Sequence, residues 1–403
     1  MAFITYEESI KNLQQSCTST KISERIFINQ ALGRILSEDI IADHNSPAYP
    51  TSAMDGYAIK FEDQGMGRIQ ILGDLPAGTY NDEELMGGFC VKTFTGSLMT
   101  KGSDTLIPIE NVEIDGNEII IKEEVPKGFS VRPVGENYTE GEVLIAKGTK
   151  IDFAEIGVLA SLNISQVSVY KKPSVAIIAT GSEILDVGEK QKNPSQIYSS
   201  NQFTLEALTR RAGAKATRTP LAKDDKESIQ KVILEALEDH DILVTTGGVS
   251  VGDYDFVKDI LKDLDAFYIT EGVILKPGQH IKIVKVSNKF IVALPGFPYS
   301  STVTFILYVI PLIKMMMNQK PELPYVKAVL KTTYKKKSKK TEFAACNLNY
   351  ENGTYTVDFS GKKSGSSAIL TNMLGNTGLL EVSQESGDLE AGSLVDVINL
   401  KAL

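Results

Sequence analysis

Residues 242–264 read ILVTTGGVSVGDYDFVKDILKDL and decide the fold of the middle of the chain. An apolar run of strand length comes first, two glycines end it, and a helical segment follows. A strand, a glycine loop and a helix in this order predict one unit of an α/β sheet.

The same unit recurs on both sides of this stretch. Residues 174–180, SVAIIAT, form a continuous apolar run that ends at Gly181, as expected of a strand buried on both faces. Residues 289–310, KFIVALPGFPYSSTVTFILYVI, repeat the strand, the loop and the helix. We therefore expect a central, doubly wound parallel sheet with its ligand at the carboxyl ends of the strands.

β-rich segments flank this central part. Before residue 137, short β-like runs are broken by Gly and Pro, which is typical of a β-rich module. After residue 320, four runs separated by Gly and Asn indicate a small barrel or sandwich. Because 403 residues are too many for a single core, we predict a multidomain protein of the α/β plus β class.

Charge and composition argue against several classes of protein. Nucleic-acid binding needs clustered Lys and Arg, and the net charge is −9. Glycine loops, helix N-termini or a cation can still provide a local positive field for a small anion. The three Cys and three His residues are scattered, so we expect no disulfide, no zinc site and no Ser-His-Asp site.

The most apolar segment, residues 302–317, reads TVTFILYVIPLIKMMM and includes Pro311 and Lys314. It is shorter than the roughly 20 residues that span a bilayer, so we expect a buried helix and no membrane partner. The N-terminal residues lack the pattern of a signal peptide. We expect a cytoplasmic protein.

The loop after residue 246 has the features of an anion site. Gly247 and Gly248 let the backbone approach a ligand closely, and the amides around Ser250 lead into a helix N-terminus. Asp253 and Asp255 follow, and a carboxylate beside a phosphate needs a cation between them, which points to Mg²⁺. The alternative is that these acids only complement the helix dipole.

Other acids follow neighbouring predicted strands. Glu183 comes after one strand, and Asp224 and Asp225 come after another. Together with Asp255 they are expected to meet at one edge of the sheet, where oxygen ligands suit a hard cation. Taken singly, each acid is more often a helix cap, whereas the set favours the functional interpretation.

Further turns and charges surround this predicted crevice. Pro295 and Pro298 stiffen one loop, and Lys276 offers a point charge to an oxyanion. A Ser-Gly cluster at residues 361–372, which includes Ser366, lies beside two lysines and is a candidate for anion contact. The run KKKSKK at 335–340 is interpreted as a solvated loop.

Residues 51–59, TSAMDGYAI, place Met54, Asp55 and Tyr57 beside Gly56. On its own this stretch is best explained as a turn, because Asp-Gly is a favoured turn dipeptide.

Ten motifs in order along nearly the whole chain resemble one family, the molybdopterin molybdenumtransferases of the MoeA and gephyrin E-domain type. They are SAMDGYA, FTGS, GSDTLIPIE, VRPVGEN, ATGSEI, IYSSN, TTGGVSVGDYDF, KPG, LPGFP and SGSSAIL. The first and TGGVSVG are specific, whereas the proline turns are weaker.

The resemblance implies a homodimer of four-domain subunits. The expected domains are an elongated linker and dimerisation domain (1–45 and 138–172), an inserted β-rich domain (46–137), an α/β molybdopterin-binding domain (173–320) and a C-terminal β-barrel (321–403). The implied reaction inserts molybdate into adenylylated molybdopterin and releases AMP, with Mg²⁺ required. The molybdopterin adenylyltransferase is a further expected partner.

By motif, the residues that line the active cleft would be Asp55, Thr95, Glu183, Asp224, Asp255, Pro295 and Pro298. The resemblance makes Asp55, Glu183, Asp224 and Asp255 catalytic, the last three also as Mg²⁺ ligands. Asp55 would face the α/β domain of the partner subunit, with Met54 and Tyr57 as walls of the site. The expected substrate contacts are Thr95, Gly247, Gly248, Ser250, Lys276, Pro295, Pro298 and Ser366.

Four residues depart from the family pattern. Asn137 replaces an acid, Gln279 and His280 replace a basic residue and Pro, and Phe297 replaces Asn. The loss of a cation and a carboxylate would weaken molybdate or Mg²⁺ binding. One alternative is therefore a paralogue that carries molybdopterin as a scaffold without turnover, or that prefers tungstate. Another is an adenylyltransferase, because the TGGVS loop also resembles that of those enzymes.

Overall fold

The computed structural model describes residues 3–19, 22–221, 225–247, 256–363 and 366–403. The chain divides into two units. The small unit consists of residues 25–32 and 36–168, and the large unit of residues 1–24, 33–35 and 169–403.

A six-stranded mixed sheet forms the body of the small unit. Its strands, in spatial order, are Thr105–Pro108, Gly56–Ile59, Phe89–Thr93, Arg68–Leu75, Glu118–Ile121 and Val112–Asp115. Tyr57, Ile69, Ile107 and Ile119 pack together on one face of it. The predicted β-rich insertion is confirmed.

Shorter elements complete the first 170 residues after the N-terminal helix. Two short antiparallel pairs are Thr51–Ser52 with Val131–Arg132 and Ile40–Ile41 with Val143–Ile145. The remaining elements are the strands Ser23–Phe27 and Gln166–Tyr170, the helix Phe153–Ser161, and the 3₁₀ turns Ile28–Gln30, Phe61–Met66 and Ile109–Asn111.

The large unit contains the sheet that the repeated strand–loop–helix pattern predicts. Its strands, in spatial order, are Lys215–Arg218, Ser174–Ala179, Ile242–Thr246, Lys289–Leu294, Lys282–Val286 and Phe267–Thr270. The first four are parallel, which confirms the predicted parallel sheet. The last two strands each pair antiparallel with their neighbour. For Lys282–Val286 the reason is that only a two-residue turn joins it to Lys289–Leu294, whereas a parallel crossover needs a longer connection.

Helices cover both faces of this sheet, as a doubly wound fold requires. Val175 and Ile177 face one hydrophobic core, and Ala176 and Ile178 face the other, because successive side chains of a strand point to opposite faces. The helices are Tyr6–Ser16, Ser200–Arg211, Lys226–Asp239, Phe256–Asp263 and Pro298–Met316. Asp225 accepts hydrogen bonds from the backbone N and the Oγ of Ser228, both at 2.8 Å, and so caps the third of these.

The helix Pro298–Met316 is long and apolar enough to span a membrane, but 89% of its 18-residue apolar segment is buried inside the protein. It contains a π-helical turn at Phe305–Val309 between the α-helical segments Pro298–Thr304 and Ile310–Met316. The predicted buried helix is confirmed.

Five strands after residue 324 close into a barrel: Thr341–Glu351, Thr354–Asp358, Tyr325–Leu330, Leu394–Asn399 and Thr377–Val382. Closure comes from the antiparallel pairing of the first with the last. Of the two alternatives, a barrel or a sandwich, the barrel is confirmed. A sixth strand, Leu275–Lys276, pairs in parallel with Thr341 and Glu342 at the start of the first barrel strand. The large unit also has the paired strands Ile184–Leu185 and Ile197–Tyr198 and the 3₁₀ turns Leu370–Met373 and Leu400–Ala402.

Candidate active site

A cavity of about 930 Å³ lies in the large unit, between the carboxyl edge of the parallel sheet and the barrel. Its volume is at the upper end of the range of pockets that enclose small molecules and cofactors, roughly 300–1,000 Å³. The two sides of the cavity are called here the sheet wall and the barrel wall.

The sheet wall is formed where three parallel strands end. Thr180, Gly247 and Pro295 each follow one of the strands Ser174–Ala179, Ile242–Thr246 and Lys289–Leu294, and all three line the cavity. Gly247 has φ +93°, a backbone conformation that disfavours any residue with a Cβ. This wall therefore consists of strand ends and tight turns, as expected of a ligand edge in an α/β sheet.

Only one of the three carboxylates predicted to hold Mg²⁺ is among the described residues. Glu183 lines the cavity, and its side chain is exposed. Asp224 and Asp255 lie outside the described residues, as do Asp253, Gly248 and Ser250. The expected meeting of the acids stays a prediction. Within the described ranges, no group of three or more His, Cys, Asp and Glu residues could hold a metal ion.

Apolar side chains also belong to the sheet wall. Phe297, Ile197 and Tyr198 line the cavity with exposed fractions of 61%, 57% and 49%. Pro298, the other proline predicted to shape this loop, lines it as well and begins the long buried helix. Exposed aromatic and aliphatic groups at a cavity offer contact area to a flat organic ring.

The barrel wall is cationic. Six lysines but only two glutamates, Glu183 and Glu342, line the cavity within the part of the chain that the structure describes. The lysines are Lys276, Lys335, Lys337, Lys340, Lys362 and Lys363. The positive field that an anion needs is thus local, in a chain whose net charge is −9.

Some lysines of the run at 335–340 bind other parts of the barrel, and some line the cavity. Lys335 Nζ lies 3.0 Å from Asp388 Oδ2, and Lys336 Nζ donates to the carbonyl oxygens of Ser383 and Gln384 at 2.6 and 2.7 Å. Lys335, Lys337 and Lys340 line the cavity. The run is a loop, as predicted, and Lys335 and Lys337 are exposed. The sequence did not predict that the fold places three of its lysines at a cavity.

Lys276, the predicted point charge, forms an ion pair with a carboxylate that the sequence did not single out. Its Nζ lies 3.2 Å from Glu342 Oε1. Glu342 is only 2% exposed. Its carboxylate also accepts hydrogen bonds from Ser338 Oγ and Tyr334 Oη, each at 2.8 Å, and from the backbone N of Lys337 at 3.1 Å.

These donors decide the ionisation of Glu342. Burial raises the pKa of this carboxyl, but the hydrogen bonds from Ser338 and Tyr334 and the ammonium of Lys276 lower it by more. The net result is a pKa below the usual value of 4.5. Glu342 is therefore a carboxylate at neutral pH, although it is buried.

The two departures after KPG face the barrel. Lys340 Nζ donates a hydrogen bond to Gln279 Oε1, and Gln279 Nε2 lies 2.7 Å from His280 Nε2. Burial, followed by the charges of Lys282 and Lys340, lowers the pKa of His280 below 6.5, so this imidazole is neutral at pH 7. Lys340 of the barrel therefore contacts the turn at which Gln279 replaces the basic residue of the family pattern.

The segment that carries Ser366 packs against the start of the long helix. Ser366 and Ser367 line the cavity, and the Ser367 carbonyl accepts hydrogen bonds from the backbone N of Tyr299 and Ser300 at 3.1 and 3.3 Å. Lys362 Nζ donates to Thr377 Oγ1 at 2.7 Å and so holds this segment on the barrel. The predicted contact region thus lies at the cavity.

The small unit contains the other predicted pair, Asp55 and Thr95. Asp55 Oδ1 accepts hydrogen bonds from the backbone N and the Oγ1 of Thr95, both at 2.8 Å. These bonds, the backbone one first, lower the pKa of Asp55, so this exposed carboxyl is ionised at neutral pH. The structure brings together two residues that are 40 positions apart in the sequence.

The neighbours of Asp55 have structural roles. A Cβ on Gly56 would lie 2.4 Å from the Ile107 carbonyl oxygen, so only glycine fits there. Tyr57 is 2% exposed and belongs to the core of the small unit. The expectation that Tyr57 walls the site is wrong, because its side chain points into the sheet core. Met54 is 37% exposed.

Three family models match successive parts of the chain. Residues 4–163 match the MoeA N-terminal region (domain I and II), residues 176–315 a probable molybdopterin binding domain, and residues 327–400 the MoeA C-terminal region (domain IV).

Curated relatives and solved structures match the whole chain. The molybdopterin molybdenumtransferase of Staphylococcus aureus strain MSSA476 is 32% identical over 400 residues, 97% of this chain and 93% of that protein. The protein of the same name from Haemophilus influenzae is 28% identical over 404 residues, 98% of both chains. The crystal structure of the molybdopterin biosynthesis MoeA protein from Pyrococcus horikoshii superimposes with a TM-score of 0.86 at 27% identity, over 99% of each chain.

Proposed function

Since this chain belongs to the molybdopterin molybdenumtransferase family of molybdenum cofactor biosynthesis, we propose that it inserts molybdate into adenylylated molybdopterin and releases AMP. We place the binding of this substrate in the cavity of the large unit.

The observation that carries the proposal is the pairing of two unlike walls around one cavity. Adenylylated molybdopterin combines a diphosphate with flat ring systems, and molybdate is a dianion. The lysines of the barrel wall match the anionic groups, and Phe297, Tyr198 and Ile197 of the sheet wall match the rings. A lysine ammonium binds phosphate as a compact point charge.

The chain's own residues would act by position and charge. Holding molybdate and the dithiolene side by side turns an encounter between two solutes into a reaction within one complex. Lysines that face the diphosphate stabilise negative charge that develops on the leaving AMP. No acid or base is required for this role.

Mg²⁺ is part of the proposal. Glu183 is an exposed carboxylate at the cavity, an oxygen donor of the kind that Mg²⁺ prefers, and Asp224 and Asp255 are the other proposed ligands. When bound, the ion would neutralise charge on the diphosphate.

We propose that the active form is a cytoplasmic homodimer, in which Asp55 of the partner subunit contacts the substrate. Asp55 is suited to this because its carboxylate is ionised and exposed, and because Thr95 fixes its orientation. The molybdopterin adenylyltransferase that makes the substrate is a further proposed partner.

AMP release tests the proposal. Purified protein is incubated with adenylylated molybdopterin and molybdate, with and without Mg²⁺, and AMP is measured over time. We expect release above the protein-free rate, dependence on Mg²⁺, and loss of activity in Asp55→Asn and Glu183→Gln. A parallel reaction with tungstate decides which oxyanion the protein uses. Tight binding of molybdopterin without any AMP release would instead indicate a scaffold or carrier.

A further inference from the structure

Glu342 is a buried carboxylate that joins two separate parts of the barrel wall. Lys276 ends the strand Leu275–Lys276, which lies in the chain between the sheet strands Phe267–Thr270 and Lys282–Val286, whereas Tyr334, Lys337 and Ser338 belong to one loop of the barrel. All four donate hydrogen bonds to this single side chain, three of them to Oε1 and Tyr334 to Oε2.

The backbone explains why Glu342 and Lys276 meet. Strand Leu275–Lys276 pairs in parallel with Thr341 and Glu342, with Lys276 opposite Glu342. The backbone N of Thr341 donates to the Ile274 carbonyl at 3.1 Å and fixes this register. The backbone pairing therefore brings the two side chains close together, and the Glu342 carboxylate fixes the position of the Lys276 ammonium.

Two roles for Glu342 are chemically distinct. If it only reduced the charge of the barrel wall, its neutralisation would make the cavity more positive and would tighten anion binding. If instead it holds Lys276 and the loop in place, its neutralisation would loosen them and weaken anion binding. The two roles predict opposite signs for the same substitution.

We propose that Glu342 is a positioning residue for the oxyanion: it holds Lys276 and the Lys337 segment of the loop where a tetrahedral dianion can contact both. This inference rests on the proposed function, because it takes the cavity to be the anion site. The arrangement around Glu342 favours positioning over neutralisation. One carboxylate cannot balance the positive charge of six lysines. All four groups that donate hydrogen bonds to it belong either to a cavity lysine or to a residue next to one in the sequence.

The test is Glu342→Gln, which preserves shape while it removes the charge. We expect the Kd of inorganic molybdate, measured by calorimetry, to rise about ten-fold, as for the loss of one charge-assisted hydrogen bond. In AMP release, the KM for molybdate rises while kcat stays within about two-fold, because the variant affects the placement of one reactant. Unchanged or tighter molybdate binding would overturn the proposal.

Asp388→Asn is the matched control. Asp388 contacts the first part of the same loop through Lys335 Nζ at 3.0 Å and the backbone N of Lys336 at 2.9 Å. The control therefore removes the same charge from another carboxylate that contacts this loop, but spares Lys276. We expect a change in molybdate affinity of less than about two-fold. Equal losses in both variants would show general loosening of the loop and would also overturn the proposal.

A ligand-free measurement separates this inference from the proposed function. The rate of acetylation of Lys276 by acetic anhydride, followed by mass spectrometry, should rise several-fold in Glu342→Gln and stay unchanged in Asp388→Asn. If the wild type binds no molybdate, the proposed function fails, whereas the acetylation rate still reports whether Glu342 holds Lys276. An equal rate in wild type and Glu342→Gln would contradict that hold.

Ser338→Ala keeps the test available if Glu342→Gln does not fold. It removes one donor to Glu342 without any change of charge, and Ser338 does not line the cavity. We expect a two- to three-fold rise in the Kd of molybdate and a matching rise in Lys276 acetylation. The absence of both changes would count against positioning.

Discussion

The two walls of the cavity differ in how they are made. The sheet wall consists of strand ends, glycine and proline turns and exposed apolar side chains, with Glu183 as its charged group among the described residues. The barrel wall presents lysines, some of which are fixed by internal contacts. The α/β part therefore determines the shape of the cavity, and the barrel provides most of its charge.

Four of the barrel lysines fall into two groups. Lys362 and Lys336 donate to carbonyl and hydroxyl oxygens of the barrel and so serve its structure. Lys337 and Lys363 have no ion-pair partner among the described residues and line the cavity. We expect the second group, together with Lys276, to carry most of the anion affinity.

The largest effect is expected from damage to the turn that follows Lys276 at the cavity. In Gly278→Ala, the new Cβ would lie 2.1 Å from Thr304 Cγ2 on the buried helix, and φ is already +99°. We expect the free energy of unfolding to fall by about 3 kcal/mol, measured by urea denaturation. Gly375→Ala is the control, because φ there is +79° but the Cβ meets nothing within 4 Å; it should cost about 1 kcal/mol. Equal losses would refute the role of the contact with Thr304.

The next effect concerns how the barrel is attached to the helix. The Tyr299 hydroxyl donates to the Phe343 carbonyl at 3.1 Å and accepts from the backbone N of Ala345 at 2.9 Å. Tyr299→Phe leaves both buried groups without this partner, so we expect a loss of about 2 kcal/mol in thermal or chemical unfolding. Tyr350→Phe, at a side chain that is 66% exposed, should leave stability unchanged. A Tyr299→Phe protein as stable as wild type would contradict this attachment.

The third prediction separates the two groups of lysines. We expect Lys337→Gln combined with Lys363→Gln to weaken molybdate binding about ten-fold at low salt and to flatten its salt dependence, since both ammoniums are exposed and screened. Lys327→Gln removes a barrel lysine that pairs with Asp396 at 2.8 Å and does not line the cavity. That control should change binding by less than two-fold, and a similar loss from it would show only a general effect of charge.

The smallest effect is the pH dependence of stability through Glu342. Its pKa is lowered in the folded protein, so its contribution is present above the unfolded value of 4.5 and is lost as the pH falls through the folded pKa. We expect the difference in Tm between wild type and Glu342→Gln to be constant near pH 7 and to shrink below about pH 4.5. A difference that grows with acidity would mean that the carboxyl is neutral in the folded state.

The sequence predicted the features that local pattern encodes. The strand–glycine–helix units indicated the parallel sheet. The family motifs placed Asp55 and Thr95 in the same predicted cleft, and the two residues are hydrogen-bonded in the structure. The antiparallel edge was missed, because it depends on the short turn before Lys289. The role of the lysine loop was also missed, since Lys340 meets Gln279 across 61 positions and Glu342 meets Lys276 across 66. Tyr57 was misplaced because a motif does not say which face of a strand a residue occupies.

The central claim, that the lysines of the barrel wall contact the substrate anion, is tested most directly by protection from acetylation. Wild-type protein is treated with acetic anhydride with and without adenylylated molybdopterin, and each lysine is quantified by mass spectrometry. We expect Lys337 and Lys363 to react several-fold more slowly with the substrate bound, while Lys327 is unaffected. Equal reactivity of all three lysines in the two conditions would contradict it.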